Sequence, residues 1–236
     1  VGSVDPEPEV CDMRDNDCDG SIDEGLTPHA RVDMVFAVDI SGSMCSYISA
    51  IQAALARYAG ELAGTEHLFG LLLFPTPINN VPYDPEEPMV FLTGPVLVDA
   101  PTLVSALAAV GCNGWGTEPS YDVVLWLASR SSPWLSSMPQ IGWRSNADPF
   151  IIVLTDEEAQ TGHGVTEQSL AGSVDPCMLP GCTPGARVDV YVVTALMNAL
   201  YWDGVTGDVG RVLDIEPATV DHYVDVLHGV FREVCR

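Results

Sequence analysis

The chain has 236 residues, 33 acidic side chains against 9 basic ones, and a formal net charge of -24. Every basic residue is Arg, which excludes chemistry that needs a primary amine: a Schiff-base lysine, a Walker-type phosphate loop or a Lys-Asn isopeptide cross-link. A pI near 4.1 argues against nucleic acid or an anionic membrane surface as partner and favours metal cations and basic protein patches.

Hydrophobic residues make up 47% and charged ones 18%, the balance of a chain that buries a core. The longest uncharged run, residues 100–117, is broken by Pro101, Gly111, Gly114 and Gly116, so no membrane insertion is expected. The chain opens at Val1 without Met or a signal sequence, as expected of a piece processed from something longer. Seven Cys residues without a CxxC or a Cys/His zinc spacing point to disulfides and an oxidising, extracytoplasmic compartment.

Residues 1–26 form a separate unit. They hold nine acidic residues against Arg14, a net of -8, leaving 24 acidic and 8 basic residues, net -16, for the other 210. Val1, Val4, Val10, Met13, Ile22 and Leu26 are too few for a core, so something other than apolar burial must order the segment. Asp15, Asp17 and Asp19 fall at alternate positions, followed by Gly20 for a sharp turn and Ile22 as apolar anchor, which is the first half of a calcium loop of EF-hand type. Leu26 stands where the bidentate Glu belongs, so Asp23 or Glu24 must complete the shell. Ca²⁺ is the expected ion, since carboxylates without His do not select copper; the alternative is an acidic disordered linker. Cys11 and Cys18 frame the loop as a local clip, and Cys177 and Cys182 bracket a Met-Leu-Pro-Gly turn in the same way. The segment from Pro8 to Leu26 resembles the short DxDxDG metal-binding motif of MopE-type bacterial surface proteins. The expected units are residues 1–29, the calcium motif, and 30–236.

From Asp33 onward strands and helices alternate. Apolar runs predict strands at 34–38, 67–74, 89–92 (an edge strand), 150–154, 188–194 and 209–215. Helical spacing predicts helices at 47–62, 103–110, 121–129 and 218–234, the last with Val220, Tyr223, Val224, Leu227, Val230 and Phe231 on one stripe. Residues 75–88, with five prolines, form a loop. This order implies a mostly parallel α/β sheet covered on both faces, with ligands bound beyond the carboxyl ends of the strands.

The first strand ends in Asp39-Ile40-Ser41-Gly42-Ser43, where one carboxylate and two hydroxyls can aim at a single point. Hard oxygen donors suit Mg²⁺ or Mn²⁺. Asp156 follows the central strand, and Thr117 opens a helix between them. The order Asp-x-Ser-x-Ser, then Thr, then Asp resembles the metal-ion-dependent adhesion site (MIDAS) of von Willebrand factor A (vWA) domains, over roughly residues 30–236. The resemblance implies a Rossmann-like, doubly wound fold. Ser41, Ser43 and Thr117 would be direct ligands, with Asp39 and Asp156 in the site directly or through water. An open position would await an acidic group of a partner. Glu157 and Glu158 depart from the family pattern and either enter the site, shifting preference toward Ca²⁺, or are solvated loop charges. If Ser43 and Thr117 share a metal, Cys45 and Cys112 come within disulfide reach, and Cys235 stays unassigned.

The implied function is adhesion-type binding of a protein ligand through a MIDAS cation, outside the cell and without catalysis. The alternative is a structural subunit that assembles with copies of itself while metals only rigidify the fold. A metal hydrolase lacks a paired His or Lys base and a serine hydrolase lacks a Gly-x-Ser-x-Gly elbow, so neither is expected. Candidate contact loops are residues 75–88 and 131–149, the latter carrying Trp134 and Trp143 as aromatic anchors.

Overall fold

The structure, a computed structural model, describes residues 7–8, 17–18, 31–75, 89–94, 97–112, 117–128, 141–174, 188–206 and 211–234. Six strands form one sheet: β1 (Val32–Asp39), β2 (Leu68–Phe74), β3 (Val90–Phe91), β4 (Asp148–Leu154), β5 (Asp189–Thr194) and β6 (Val212–Asp214). Between them run α1 (Ile48–Glu61), α2 (Ala100–Leu107), α3 (Ser120–Ala128), α4 (Glu167–Val174), α5 (Asp203–Thr206) and α6 (Val220–Val234). The strand order is β3-β2-β1-β4-β5-β6, with β3 antiparallel and every other pairing parallel.

All eight residues of β1 are buried, as a strand covered on both faces must be. Met34, Phe36 and Val38 face α1, α2 and α6, while Val35 and Ala37 face the layer of α3, α4 and Trp202. The stripe of α6 packs as its spacing predicts, with Tyr223, Val224, Leu227, Val230 and Phe231 all buried. Each such side chain contributes roughly 1.5–3 kcal/mol of burial free energy. Because the chain winds one way from β1 to β3 and the other way from β4 to β6, the strand order reverses between β1 and β4. Register aligns Val38 with Leu154 there, so the segments after both strands emerge side by side.

Several expectations are corrected. The second helix begins at Ala100, three residues before the predicted 103, because Asp99 caps it by accepting a hydrogen bond from Thr102 N at 3.0 Å and Pro101 suits the first turn. α4, α5 and the 3-10 helix Leu196–Tyr201 were not expected, being short and without a long apolar period. The described part of loop 131–149 does not lie near the candidate site. Trp143 donates from Nε1 to the Leu127 carbonyl at 3.1 Å, and Arg144 donates from its backbone N and Nε to the buried Asp33 carboxylate, both at 2.7 Å, at the amino ends of the strands. Trp134 and loop 76–88 lie outside the described residues.

Candidate metal centre

Asp39 is the last residue of β1 and is fully buried. The chain then turns sharply: Ser41 N donates back to Asp39 Oδ1 at 2.8 Å, and Met44 N and Cys45 N donate to the Ser41 and Gly42 carbonyls, starting the 3-10 helix Ser43–Ser46. The buried Met44 side chain anchors that turn to the core. Behind β4, Thr155 Oγ1 donates to the other Asp39 oxygen, Oδ2, at 2.7 Å. Ser41 Oγ and Ser43 Oγ lie 3.0 Å apart, and Ser43 Oγ donates to Asp156 Oδ1 at 2.9 Å. The structure therefore gathers Asp39, Ser41, Ser43 and Asp156 into one network across the β1–β4 switch point, where open α/β sheets place their ligands.

Thr117 stands exposed before α3, and among the described residues no hydrogen bond joins it to this network. Its neighbour Glu118, not singled out in the sequence, does reach the network. Glu118 is 9% exposed, hydrogen-bonds with Ser41, and accepts from Gln160 Nε2 at 3.3 Å while its backbone N donates to Gln160 Oε1. Its position directly after Thr117 was the one available signal. His163, in the same loop as Asp156, is held by the buried Asp122 of α3, with Nδ1 2.8 Å from Oδ1.

The electrostatics describe a site short of positive charge. Burial pushes the Asp39 carboxyl up to about 6, against the opposing hydrogen bonds from Thr155 and Ser41 and with a further push from Asp156. Burial, followed by the charges of Asp39 and Glu157, pushes Glu118 up to about 7, with the Ser41 hydrogen bond opposing and Asp156 adding to the rise. Glu157 is raised by burial, Asp156 and Glu158. No trio of His, Cys, Asp or Glu that could hold an ion by itself occurs among the described residues. A buried carboxylate beside convergent hydroxyls, with acidic neighbours and no basic one among the described residues, is a donor set that fits a hard divalent cation.

A disulfide joins Cys45, in the 3-10 helix, to Cys112, beyond α2, with Cα atoms 5.1 Å apart, as expected. Cys112 Sγ also lies 3.5 Å from the Ser41 carbonyl, tying the turn from the side. The expected Cys11–Cys18 clip is corrected: Cys18 is an exposed free thiol at φ 62. Sequence spacing alone does not bring two Cβ atoms to the roughly 3.5–4.5 Å that a disulfide needs. Asp17 is half-buried, while Asp15, Asp19, Asp23, Glu24, Cys11, Cys177, Cys182 and Cys235 lie outside the described residues, as does the expected boundary at residue 30.

No protein-family model and no curated protein matches the chain. Among solved structures it is similar to proximal thread matrix protein 1 (PTMP1) from the mussel byssus, with TM-score 0.63 at 11% identity over 88% of this chain and 49% of that one. It is also similar to PTMP1 with a zinc-occupied MIDAS motif, with TM-score 0.60 at 14% identity over 89% and 47%. A third is the pilus adhesin SpaC from Lactobacillus rhamnosus GG in an open conformation, with TM-score 0.57 at 14% identity over 90% and 30%. The chain thus spans about half or less of the length of each. With the strand order above, these likenesses make the described residues between 31 and 234 a vWA-like, Rossmann-type α/β fold.

Proposed function

We propose that the chain is an extracellular or cell-surface vWA-type domain that binds a protein partner through a divalent cation. The observation that carries this reading is the buried Asp39 carboxylate, joined through Ser41, Ser43 and Asp156 into a convergent oxygen set with, among the described residues, no basic side chain to neutralise it. Ser41, Ser43 and Thr117 would hold the ion with their hydroxyls, and Asp39 and Asp156 directly or through water. All-oxygen donors favour Mg²⁺ or Mn²⁺, and the neighbouring Glu118 and Glu157 carboxylates favour Ca²⁺ as well. The zinc-occupied MIDAS of PTMP1 supports a divalent ion in this type of site. When bound, the ion supplies an electrophilic position for a partner carboxylate. The chain's own part is to orient the oxygens: Thr155 and the Ser41 amide fix both oxygens of Asp39, and the Cys45–Cys112 bond fixes the turn.

The module is read as binding rather than catalytic, since its candidate donors are hydroxyls and carboxylates and the sequence pairs no His or Lys base with them. An oxidising location agrees with the disulfide, and no helix among the described residues is long and apolar enough to cross a membrane. The acidic unit at residues 1–29 is read as a Ca²⁺ loop using Asp15, Asp17, Asp19 and Asp23 or Glu24. The likeness to a byssal thread matrix protein supports a second reading, a structural subunit in which ions only stabilise the fold; it requires self-association.

Thermal unfolding in EDTA, then with Mg²⁺, Mn²⁺ or Ca²⁺ restored, tests the assignment on wild type, Asp39→Ala and Asp17→Ala. Ions should raise the wild-type midpoint, Asp39→Ala should lose the Mg²⁺ and Mn²⁺ response, and Asp17→Ala should lose only a Ca²⁺ component. If neither variant alters the ion response, both site assignments fall.

A further inference from the structure

Immediately after β5, beside the candidate metal centre, the 3-10 helix Leu196–Tyr201 holds large apolar side chains in water. Leu196 is 58% exposed, Met197 83%, Leu200 84% and Tyr201 52%. Of the six exposed large hydrophobics among the described residues, four are in this helix, so apolar exposure is concentrated here. The helix is fixed in place rather than frayed. Asn198 Nδ2 donates to the Asp156 carbonyl at 3.0 Å, Tyr121 Oη donates to the Tyr201 carbonyl at 2.6 Å, and the Tyr201 hydroxyl is hydrogen-bonded to Glu158. Beneath it the fully buried Trp202 packs edge-on against Tyr121, ring centroids 5.5 Å apart. A rigid apolar ridge thus shares a backbone contact with the loop that carries Asp156.

The charge around the ridge indicates what covers it. Asp156 and Glu158 are hydrogen-bonded to it, Glu157 accepts from Thr194 just before it, and Asp203 follows it in the chain. The described ion pairs of Arg lie elsewhere: Arg31, Arg144 and Arg211 pair with Glu66, Asp33 and Asp189 near the amino ends of the strands, and Arg57 pairs from α1 with Glu61 and Asp221. A second copy, at net charge -24 and without Lys, would bring like charge to this face. We infer that the Leu196–Tyr201 ridge and the Asp39 centre form one docking surface for a different protein, whose binding segment sets apolar side chains and Lys or Arg around one carboxylate. The carboxylate part rests on the metal-binding reading above; the apolar and basic part rests on the ridge alone.

Panning the full chain against a display library of random short peptides, in Mn²⁺ and in EDTA, tests it, with Met197→Ser/Leu200→Ser as the variant. Both positions face water, so the variant should keep the wild-type melting temperature and ion response. Enriched peptides should combine apolar residues, Lys or Arg and one Asp or Glu, and should bind the variant at least roughly tenfold more weakly, the loss of a hot-spot contact. Peptides that bind the variant equally well, or no enrichment on wild type over the variant, overturn the inference. Ridge-dependent binding that persists in EDTA upholds the ridge and sinks the metal-binding reading, whereas ion-dependent binding indifferent to the variant does the reverse. Dimerisation of the chain that the variant abolishes replaces the foreign partner by a second copy and overturns the inference too.

Discussion

Asp39 carries a large electrostatic liability at the centre, and a cation would turn it into an asset. Its carboxyl is held at about 6 in the folded chain against an ordinary 3.8. Without an ion the folded state therefore binds the proton more tightly than the unfolded state. The stability contribution is full below about pH 4 and is lost as pH rises through about 6, a penalty on the order of 3 kcal/mol at neutral pH. His67 works in the opposite sense. Its Nδ1 accepts from Val32 N at 3.2 Å, its Nε2 has no hydrogen-bond partner among the described residues, and its ring stands edge-on to Phe231. Burial lowers it to about 4 from 6.5, so its contribution is lost as pH falls from about 6.5 through 4. Comparing Asp39→Asn with wild type isolates the Asp39 effect, because His67 is common to both. In EDTA, urea unfolding should find the variant more stable by about 1–3 kcal/mol near pH 7 and the difference shrinking toward pH 4. Saturating Mg²⁺ or Mn²⁺ should reverse the order at pH 7 by stabilising only the wild type. A difference independent of pH would show that Asp39 is not a buried charge in the folded chain.

The turn that carries Ser41 and Ser43 owes its placement to the two residues that directly follow Ser43. Met44 anchors it to the core from below, and the Cys45–Cys112 bond closes a sequence separation of 67 residues across α1, β2, β3 and α2. Chain-entropy reasoning gives such a loop about 4 kcal/mol as an upper estimate. Cys45→Ser/Cys112→Ser should thus lower unfolding free energy by about 2–4 kcal/mol in urea. It should also weaken the ion-induced rise in melting temperature, because the turn loses its lateral tie. A variant that loses stability but keeps the whole ion response would confine the bond to a scaffold role. Those same elements mark how far the sequence could be read. The strands were visible because β1, β2 and β4 carry apolar runs, and DxSxS pointed to Asp39, Ser41 and Ser43 because Thr117 at a helix start and Asp156 after a central strand completed the resemblance. Glu118 was hidden because its burial comes from Gln160 and Ser41, which are distant in sequence. The Leu196–Tyr201 ridge was hidden because an apolar cluster normally signals core, and only tertiary placement reveals that Met197 and Leu200 face water.

At the scale of the molecule, charge among the described residues is sorted by sheet edge. The carboxyl edge collects Asp39, Glu118, Asp156, Glu157 and Glu158, whereas Arg31, Arg144 and Arg211 hold their acidic partners near the amino edge. A field of this sign concentrates cations where the hydroxyls converge and discourages self-association through that face. The likeness to a pilus adhesin and a thread matrix protein covers about half or less of each of those chains, so it accounts for the scaffold, while the argument for ligation rests on Asp39 and its neighbours. The most direct measurement of that claim is calorimetric titration of Mn²⁺ into the full wild-type chain, Asp39→Ala and Asp17→Ala. A Mn²⁺ site is expected in wild type and Asp17→Ala and not in Asp39→Ala; Mn²⁺ binding by Asp39→Ala equal in affinity and stoichiometry to wild type would overturn ligation at Asp39.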